Sequence, residues 1–312
     1  MNMKILVTGG SGFLGRNLIA RLRRDGHEVT CLDRFEAPFL RELGVTFRQG
    51  DVYERVAVEE AVEGVDAVFH LACTTIPKTS NDDPHFDVMS NIGGTLMLLD
   101  AAVRYRVARV VFISSGGTVY GKPLSVPIRE DHPLHPECSY GITKGTIEKY
   151  LRLYHDLKGL STCSLRLANP YGEFQRFKAV QGVIPVICYK MLVGEEMEIW
   201  GDGSVVRDFI YVGDAVEAMV KALDRREVCG EINIGGGGGH SLNEIMDVAE
   251  CVSGLSLNRR YTPARAFDVP MNVLDVSRAA EKLDWRPRVP LDVGIAHTLD
   301  WIREQIHNQE KK

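Results

Sequence analysis

The run Met3-Lys-Ile-Leu-Val-Thr8-Gly9-Gly-Ser-Gly12-Phe13-Leu14-Gly15 constrains this chain more than any other stretch. Ile5, Leu6 and Val7 form a continuous apolar run, the pattern of a parallel strand covered on both faces. After the glycines, apolar residues recur at Leu14, Leu18, Ile19 and Leu22, the period of a helix that ends near Asp25-Gly26. A strand that turns through glycines straight into a helix leaves bare backbone N–H groups at the helix N-terminus, where a pyrophosphate can sit. The last glycine lets helix and strand pack closely. Two spacings overlap here, Gly10-x-Gly12-x-x-Gly15 and Gly9-x-x-Gly12-x-x-Gly15. Gly9, Gly12 and Gly15, with Phe13 and Leu14 at the helix start, are therefore candidate dinucleotide contacts.

The next strand, Glu28-Val-Thr-Cys-Leu-Asp33, ends in a carboxylate about 20 residues past the glycines, where an acid holds the adenosine ribose hydroxyls. Asp33 favours NAD over NADP, whose extra phosphate it repels, although the adjacent Arg34 is able to accept that phosphate. Strand and helix patterns then alternate. Residues 44–51 read as the third strand, 54–63 as a helix and 65–70 as the fourth strand. A long helix to about residue 106, a fifth strand over 109–114, a helix over about 139–159 and a sixth strand over 161–168 follow. This alternation predicts an α/β fold built on a doubly wound parallel sheet. Prolines 123, 127, 133 and 136 make the segment 121–137 an irregular loop. Beyond Asn169-Pro-Tyr-Gly172 the alternation fades into loops and short helices. The reading is a Rossmann domain over 1–170 and a smaller interleaved lobe over 171–312, with segments returning to the first domain.

Composition enters mainly to exclude. The net charge of -5 comes from 42 acidic and 37 basic residues, and no basic block exceeds Arg21-Leu-Arg23-Arg24, so neither nucleic acid nor a membrane surface is indicated as a partner. No uninterrupted apolar run approaches about 18 residues, and the N-terminal one runs into the glycine turn; both point to a cytoplasmic protein. Seven cysteines, odd in number and without a Cys-x-x-Cys pair, read as core residues rather than a disulfide framework or zinc site. His70, His85, His132 and His135 have no metal-ligand spacing. The glycines 235–239 are not followed by Gly-Lys-Ser/Thr, so they read as a flexible turn.

Three features carry chemistry together: Ser114-Ser115 at the end of the fifth strand, Tyr140, and Lys144 one helical turn later. Residues four apart share a helix face, so Tyr140 and Lys144 point the same way. A nearby ammonium favours the phenolate, which would let a tyrosine with an ordinary pKa near 10 act as a base.

At this point the sequence resembles the extended short-chain dehydrogenase/reductase family of nucleotide-sugar epimerases and dehydratases, most of all its UDP-glucose 4-epimerase-like members. The residues that carry the resemblance run along nearly the whole chain. They are Thr8-Gly9-Gly-Ser-Gly12-Phe-Leu-Gly15, Gly50-Asp51-Val52, His70-Leu71-Ala72, Asn91-Ile-Gly-Gly-Thr95, Ser114-Ser115-Gly-Gly-Thr118-Val-Tyr120-Gly121 and Tyr140-Gly-Ile-Thr-Lys144. Asn169-Pro-Tyr-Gly172, Gly201-Asp-Gly-Ser-Val-Val-Arg207-Asp208-Phe, Asn233-Ile-Gly-Gly and Arg265-Ala-Phe-Asp268, leading to Asp275 and Leu283-Asp-Trp285-Arg-Pro287, continue it.

The resemblance implies bound NAD and a nucleotide-sugar substrate, by preference a UDP-sugar. It places Asp51 and Val52 at the adenine, Leu71 and Ala72 at the cofactor phosphate and ribose, and Asn91 and Ser114 among the cofactor contacts. Tyr140 and Lys144 hold the nicotinamide ribose, and His70 has a packing role. Asn169, Arg207 and Arg265 match positions that bind the nucleotide diphosphate, a task suited to guanidinium forks. One position departs. Four residues before Tyr120, where the family carries its catalytic Ser or Thr, stands Gly116; Ser115 is the first candidate for that hydroxyl and Thr118 the second. The family's dehydratases place an Asp-Glu pair where this chain has Gly117 and Thr118, and its decarboxylases tend to place a Glu in this segment.

The implied activity is reversible epimerisation at C4, with Tyr140 taking the C4 hydroxyl proton. A nucleotide-sugar reductase or dehydrogenase, a 4,6-dehydratase and a non-catalytic NAD sensor are the alternatives. Side chains near Phe174, Gln175 and Arg176 set the pocket width. The helices over about 82–106 and 139–157 are expected to pair with their copies in a homodimer.

Overall fold

The computed structural model describes residues 2–178, 182–264 and 269–310. The apolar runs become strands of one sheet: β1 (Lys4–Thr8), β2 (Glu28–Asp33), β3 (Thr46–Gln49), β4 (Ala67–His70), β5 (Arg109–Ser115) and β6 (Thr162–Leu167), joined by β10 (Gly230–Ile234) from the second lobe. All seven are parallel, in the order β10-β6-β5-β4-β1-β2-β3. The order reverses at β1, between β2 and β4, so the connections diverge there and open a crevice at the carboxyl ends of the strands.

Both sheet faces are covered, which is why the inner strands are mainly apolar and their few polar residues, such as Arg109, Ser164 and Arg166, are buried. One face packs on α1 (Phe13–Arg24) and α8 (Val212–Asp224), with Leu18, Ile19, Leu22, Ala215 and Met219 fully buried. The other packs on α3 (Arg55–Val62), α5 (Gly94–Arg104) and α6 (Ser139–Lys158) through Val58, Leu98, Leu99, Ile147 and Leu151. α4 (Pro84–Asp87) runs through a π-helical turn, Val88–Gly93, into α5. This composite helix, Pro84–Arg104, is long and apolar enough in overall composition to cross a membrane, although no uninterrupted apolar run in it is; half of that stretch is buried within the protein.

The structure departs from the sequence expectation in two places. α2 (Pro38–Glu42), a single turn that buries Phe39 and Leu40, lies in a segment with no helical pattern of its own. The second lobe is also more regular than expected. It contains β7 (Asn169–Tyr171), α7 (Val183–Val193), β8 (Met197–Trp200), β9 (Val206–Tyr211), β11 (Gly239–Ser241), α9 (Leu242–Ser253), β12 (Arg259–Thr262), β13 (Met271–Asn272), α10 (Ser277–Leu283) and α11 (Leu291–Glu310). Two of its glycines end helices rather than dissolve them: Gly194 and Gly254 are left-handed C-caps, and Ser241 with Glu244 forms a capping box. A separate apolar cluster on α7, α9 and α11 holds this lobe together. β9 is its central strand, flanked by β11, β13 and β7. The buried Arg109 ties the lobe to the sheet, because its guanidinium donates to the Ala222 carbonyl at 2.7 Å and to Val228 O at 2.8 Å, at the C-terminal end of α8.

Candidate active site

The glycine turn builds the floor of the first cleft. Gly9 has φ +70°, and a Cβ on it would lie 2.8 Å from the Ala72 backbone, so the turn presses against the segment leaving β4. Gly12 is the N-cap of α1; no side chain caps this helix, and the space before Gly12 is open apart from Gly9 O at 3.3 Å from a would-be Cβ. Asp33, at the end of β2, accepts from Ser11 N at 3.0 Å and from Arg34 N at 2.7 Å, which fixes its carboxylate beside the turn. Asp51, Val52, Leu71 and Ala72 complete the walls of a cleft of about 690 Å³. A helix terminus without a cap and an anchored carboxylate beside it fit the pyrophosphate and ribose of a dinucleotide.

His70 is a packing residue. Thr95 Oγ1 donates to Asn91 O at 2.6 Å and therefore accepts from His70 Nε2 at 2.9 Å, which leaves Nδ1 to accept from Thr8 Oγ1 at 2.8 Å. Burial, with the Lys144 charge behind it, lowers the imidazole to a pKa of about 3, so it stays neutral. Asn91 sits one layer behind the cleft wall. Its Nδ2 donates to Asp87 Oδ1 at 3.0 Å and its Oδ1 accepts from Thr74 N at 3.0 Å, so it supports Thr74, which does line the cleft.

Next to this cleft is a second one of about 470 Å³, walled by Tyr140, Ser114, Ser115, Thr118, Asn169 and Arg207 with Phe13 and Leu14 on its floor. Six candidate residues from β5, the following turn, α6, β7 and β9 thus converge on one space. Arg207 donates to Val206 O at 2.9 Å and Val269 O at 2.7 Å; Asn169 Nδ2 donates to Asp208 O at 2.8 Å. Arg265 lies outside the described residues.

Gly116 explains its own departure. A Cβ there would lie 2.5 Å from Leu274 Cδ1 and 3.2 Å from Arg166 O, neither of which lines the cleft, so a side chain at this position would crowd Leu274 rather than face the substrate space. Thr118 Oγ1 is buried and has no hydrogen-bond partner, and Ser115 shares its wall. Ser114, by contrast, donates to Glu148 Oε1 at 2.5 Å and so offers the cleft only lone pairs.

Lys144 lies on the same side of α6 as Tyr140, buried, with Nζ 5.5 Å from the Tyr140 ring centroid, 4.6 Å from the Phe112 ring and 2.8 Å from Ile113 O, to which it donates. The stabilisation of the phenolate expected from Lys144 is outweighed by burial. Burial pushes the Tyr140 hydroxyl well above its usual value, and Cys73, Cys138 and Asp87 add to the shift. The direction of this shift opposes a phenolate.

Sequence reasoning left several residues unplaced. Gln175 lines the second cleft with a buried, unpartnered Oε1, while its neighbour Arg176 lines the first. The pair Glu148–Arg166 and the carboxylate of Asp87 are long-range partners that no local pattern announces. The glycines after β10 are not a loose turn: Gly236 N donates to Asp208 Oδ1 at 2.6 Å, and a Cβ on Gly235 would lie 2.2 Å from Asp208 Oδ2.

Residues 5–235 match the family model described as NAD dependent epimerase/dehydratase family. A UDP-glucose 4-epimerase of Mycolicibacterium smegmatis is 35% identical over 97% of this chain and 99% of that protein. Among solved structures, the UDP-glucose 4-epimerase of Thermotoga maritima, determined with UDP-glucose, superimposes with a TM-score of 0.92 at 34% identity, covering 97% of this chain and 100% of that one. The UDP-glucose 4-epimerase of Thermus thermophilus, in complex with NAD, gives 0.87 at 34% identity over 96% and 99% of the two chains. With the dinucleotide crevice at the sheet's switch point and the tyrosine-lysine helix beside it, this likeness along almost the full length places the chain in the NAD-dependent epimerase/dehydratase family.

Proposed function

We propose that the protein interconverts C4 epimers of a nucleotide-activated sugar, by preference a UDP-sugar, with NAD retained through the cycle. The observation that carries this reading is the make-up of the second cleft. Its described lining offers two tyrosines, further hydroxyls, two amides and an arginine, and holds no Asp or Glu. Removal of water across C5 and C6 calls for an extra acid and base beside the tyrosine, and the described wall supplies no carboxylate for it. When bound, NAD supplies a ring that accepts a hydride and returns it.

Each residue then has a task. Tyr140 takes the proton from the C4 hydroxyl and later gives it back. A hydroxyl from Ser115 or Thr118 shares a hydrogen bond with the same oxygen, and the unpaired state of Thr118 Oγ1 supports its use in this way. Lys144, fixed by Ile113 O and Phe112, and the lone pairs of Ser114 face the cofactor side. Gly9, Gly12, Phe13, Leu14, Gly15, Asp33, Asp51, Val52, Leu71 and Ala72 hold the dinucleotide, with Asn91 supporting them through Thr74. Asn169 and Arg207, with Arg265, hold the diphosphate in a substrate lobe formed mainly by residues 171–312.

The test is incubation of the purified protein with UDP-glucose, UDP-galactose and their N-acetyl and uronic acid relatives, followed by NMR and mass spectrometry of the products. An epimer of equal mass with no net change in NADH is expected. A product lighter by water or carbon dioxide, or stoichiometric use of NADH, contradicts the proposal.

A further inference from the structure

Tyr140 is the second residue of α6, in the turn whose backbone N–H groups have no partner within the helix. Cys138, the residue before the helix, supplies no side-chain cap. The caps come from 60 and 58 residues away: Tyr140 N donates to Ser80 Oγ at 3.0 Å, and Ser139 N donates to Asn81 Oδ1 at 2.9 Å. The regular helical pattern is joined at Ile142, whose N–H reaches Cys138 O at 3.1 Å. The stretch of backbone that carries the phenol is therefore held from outside the helix.

The capping groups are themselves fixed. Ser80 is fully buried and donates its hydroxyl proton to Pro77 O at 3.3 Å, which leaves a lone pair for Tyr140 N. Ser80 N donates to Ile76 O at 2.9 Å, and Asp82 N donates to Thr79 O at 3.1 Å, closing the next turn around Asn81. Pro77 lines the same cleft as Tyr140. At the other end of the segment, Thr74 lines the first cleft and is held there by Asn91 Oδ1. Residues 74–82 thus run from the dinucleotide cleft, past the wall of the second cleft, to the start of α6.

We propose that Ser80 and Asn81 are positioning residues for Tyr140: by capping the first two N–H groups of α6 they set where its phenol stands in the second cleft. The inference rests on the reading of Tyr140 as the proton acceptor.

The helix as a whole does not hang on these two bonds. Ile147 and Leu151 bury its face, and Glu148 is paired with Arg166 on the sheet. What the caps hold is the first turn, and there a displacement of about 1 Å is enough to cost up to about 10²-fold in rate. A cap that only stabilised the protein would act alike with or without the Tyr140 hydroxyl. A cap that positions this hydroxyl has nothing left to position in Tyr140→Phe.

The experiment is a double-mutant cycle. Ser80→Ala, Asn81→Ala and Asn81→Asp are each made in the parent and in Tyr140→Phe. With NAD at saturation, kcat and KM are read by NMR on whichever of UDP-glucose, UDP-galactose and their N-acetyl and uronic acid relatives the parent epimerises. With Tyr140 present, Ser80→Ala is expected to lower kcat about tenfold and Asn81→Ala about threefold, while KM moves less than about twofold. Asn81→Asp returns an acceptor oxygen to Ser139 N and should keep kcat within about twofold of the parent. In the Tyr140→Phe background each change should alter the residual rate by less than about twofold. Asn81 is exposed, so its variants carry the test if Ser80→Ala does not fold.

The same loss in both backgrounds, or a loss carried by KM alone, overturns the proposal while leaving Tyr140 its role. Parent-like turnover in Tyr140→Phe, or no epimerisation of any of these sugars by the parent, overturns the reading of Tyr140 and the inference with it.

Discussion

Glu148 on α6 and Arg166 on β6 form the only ion pair among the described residues in which both side chains are buried, 0% and 3% exposed, with Nη2 to Oε2 at 2.7 Å and Nε to Oε1 at 3.0 Å. Arg166 also donates to the Tyr120 hydroxyl at 2.9 Å, and Glu148 accepts from Ser114. The helix that carries Tyr140 and Lys144 is thus fastened to the sheet through its third turn.

Breaking that pair should be costly, because the remaining partner is left as an uncompensated buried charge. Glu148→Gln is expected to lower stability by about 3–5 kcal/mol in urea unfolding. The double change Glu148→Met with Arg166→Leu should cost clearly less, since neither charge is then stranded. A cost below about 1 kcal/mol for Glu148→Gln would show that the pair does not hold the helix.

Ser115→Ala and Thr118→Val divide the hydroxyl role. The residue that shares the C4 oxygen should lose at least about tenfold in kcat when its hydroxyl is removed, with KM for the UDP-sugar changing less. The other should show a smaller change carried mainly by KM. Equal, near-unity effects in both would remove hydroxyl assistance from the mechanism.

Two buried groups set opposite slopes of stability against pH. Burial raises Asp208 from 3.8 to about 6, against the pull of N–H donors from Gly236 and Leu274, so the folded state holds this proton more tightly than the unfolded one. Its contribution is fully present below about pH 4 and is lost as pH rises through about 6. His70, lowered from 6.5 to about 3, acts the other way: its contribution is present above about 6.5 and is lost as pH falls towards 3. Asp208→Asn should therefore lose more thermal stability than the parent between pH 7 and 4, by roughly 3 kcal/mol at most. A parallel pair of Tm profiles would refute this.

Phe86, Val88, Met89, Ile142 and Leu153 leave apolar surface exposed on α4, the π-helical turn and α6. A second copy of the chain covering these helices would bury it, and light scattering at micromolar concentration is expected to report a dimer. A monomer at that concentration contradicts the expectation.

Much of the fold was legible because its signals are local. Ile5-Leu6-Val7 and Val110-Val-Phe-Ile113 are runs that only a doubly covered sheet explains, and their strands fall within one or two residues of the reading. α2 escaped because five residues with Pro38 at their start offer no period. The second lobe was underestimated because glycines such as Gly194 and Gly254 look like breaks in sequence and act as caps in space. In the candidate site, Tyr140, Lys144, Thr118 and Arg207 sit in motifs. Asp87 reaches Ser139 and Thr143 across 52 and 56 residues, and Glu148 reaches Ser114 across 34, separations that periodicity does not carry. The upward push on the Tyr140 hydroxyl comes first from burial, which spacing alone does not report.

The most direct measurement is the rate at which Tyr140→Phe converts UDP-glucose to UDP-galactose beside the parent protein, with NAD content and Tm measured on the same samples. The variant removes only the hydroxyl, so the fold should be unchanged while kcat falls by about 10²–10⁴-fold. A variant that keeps NAD and most of the parent rate would contradict the assignment of Tyr140 as the group that moves the C4 proton.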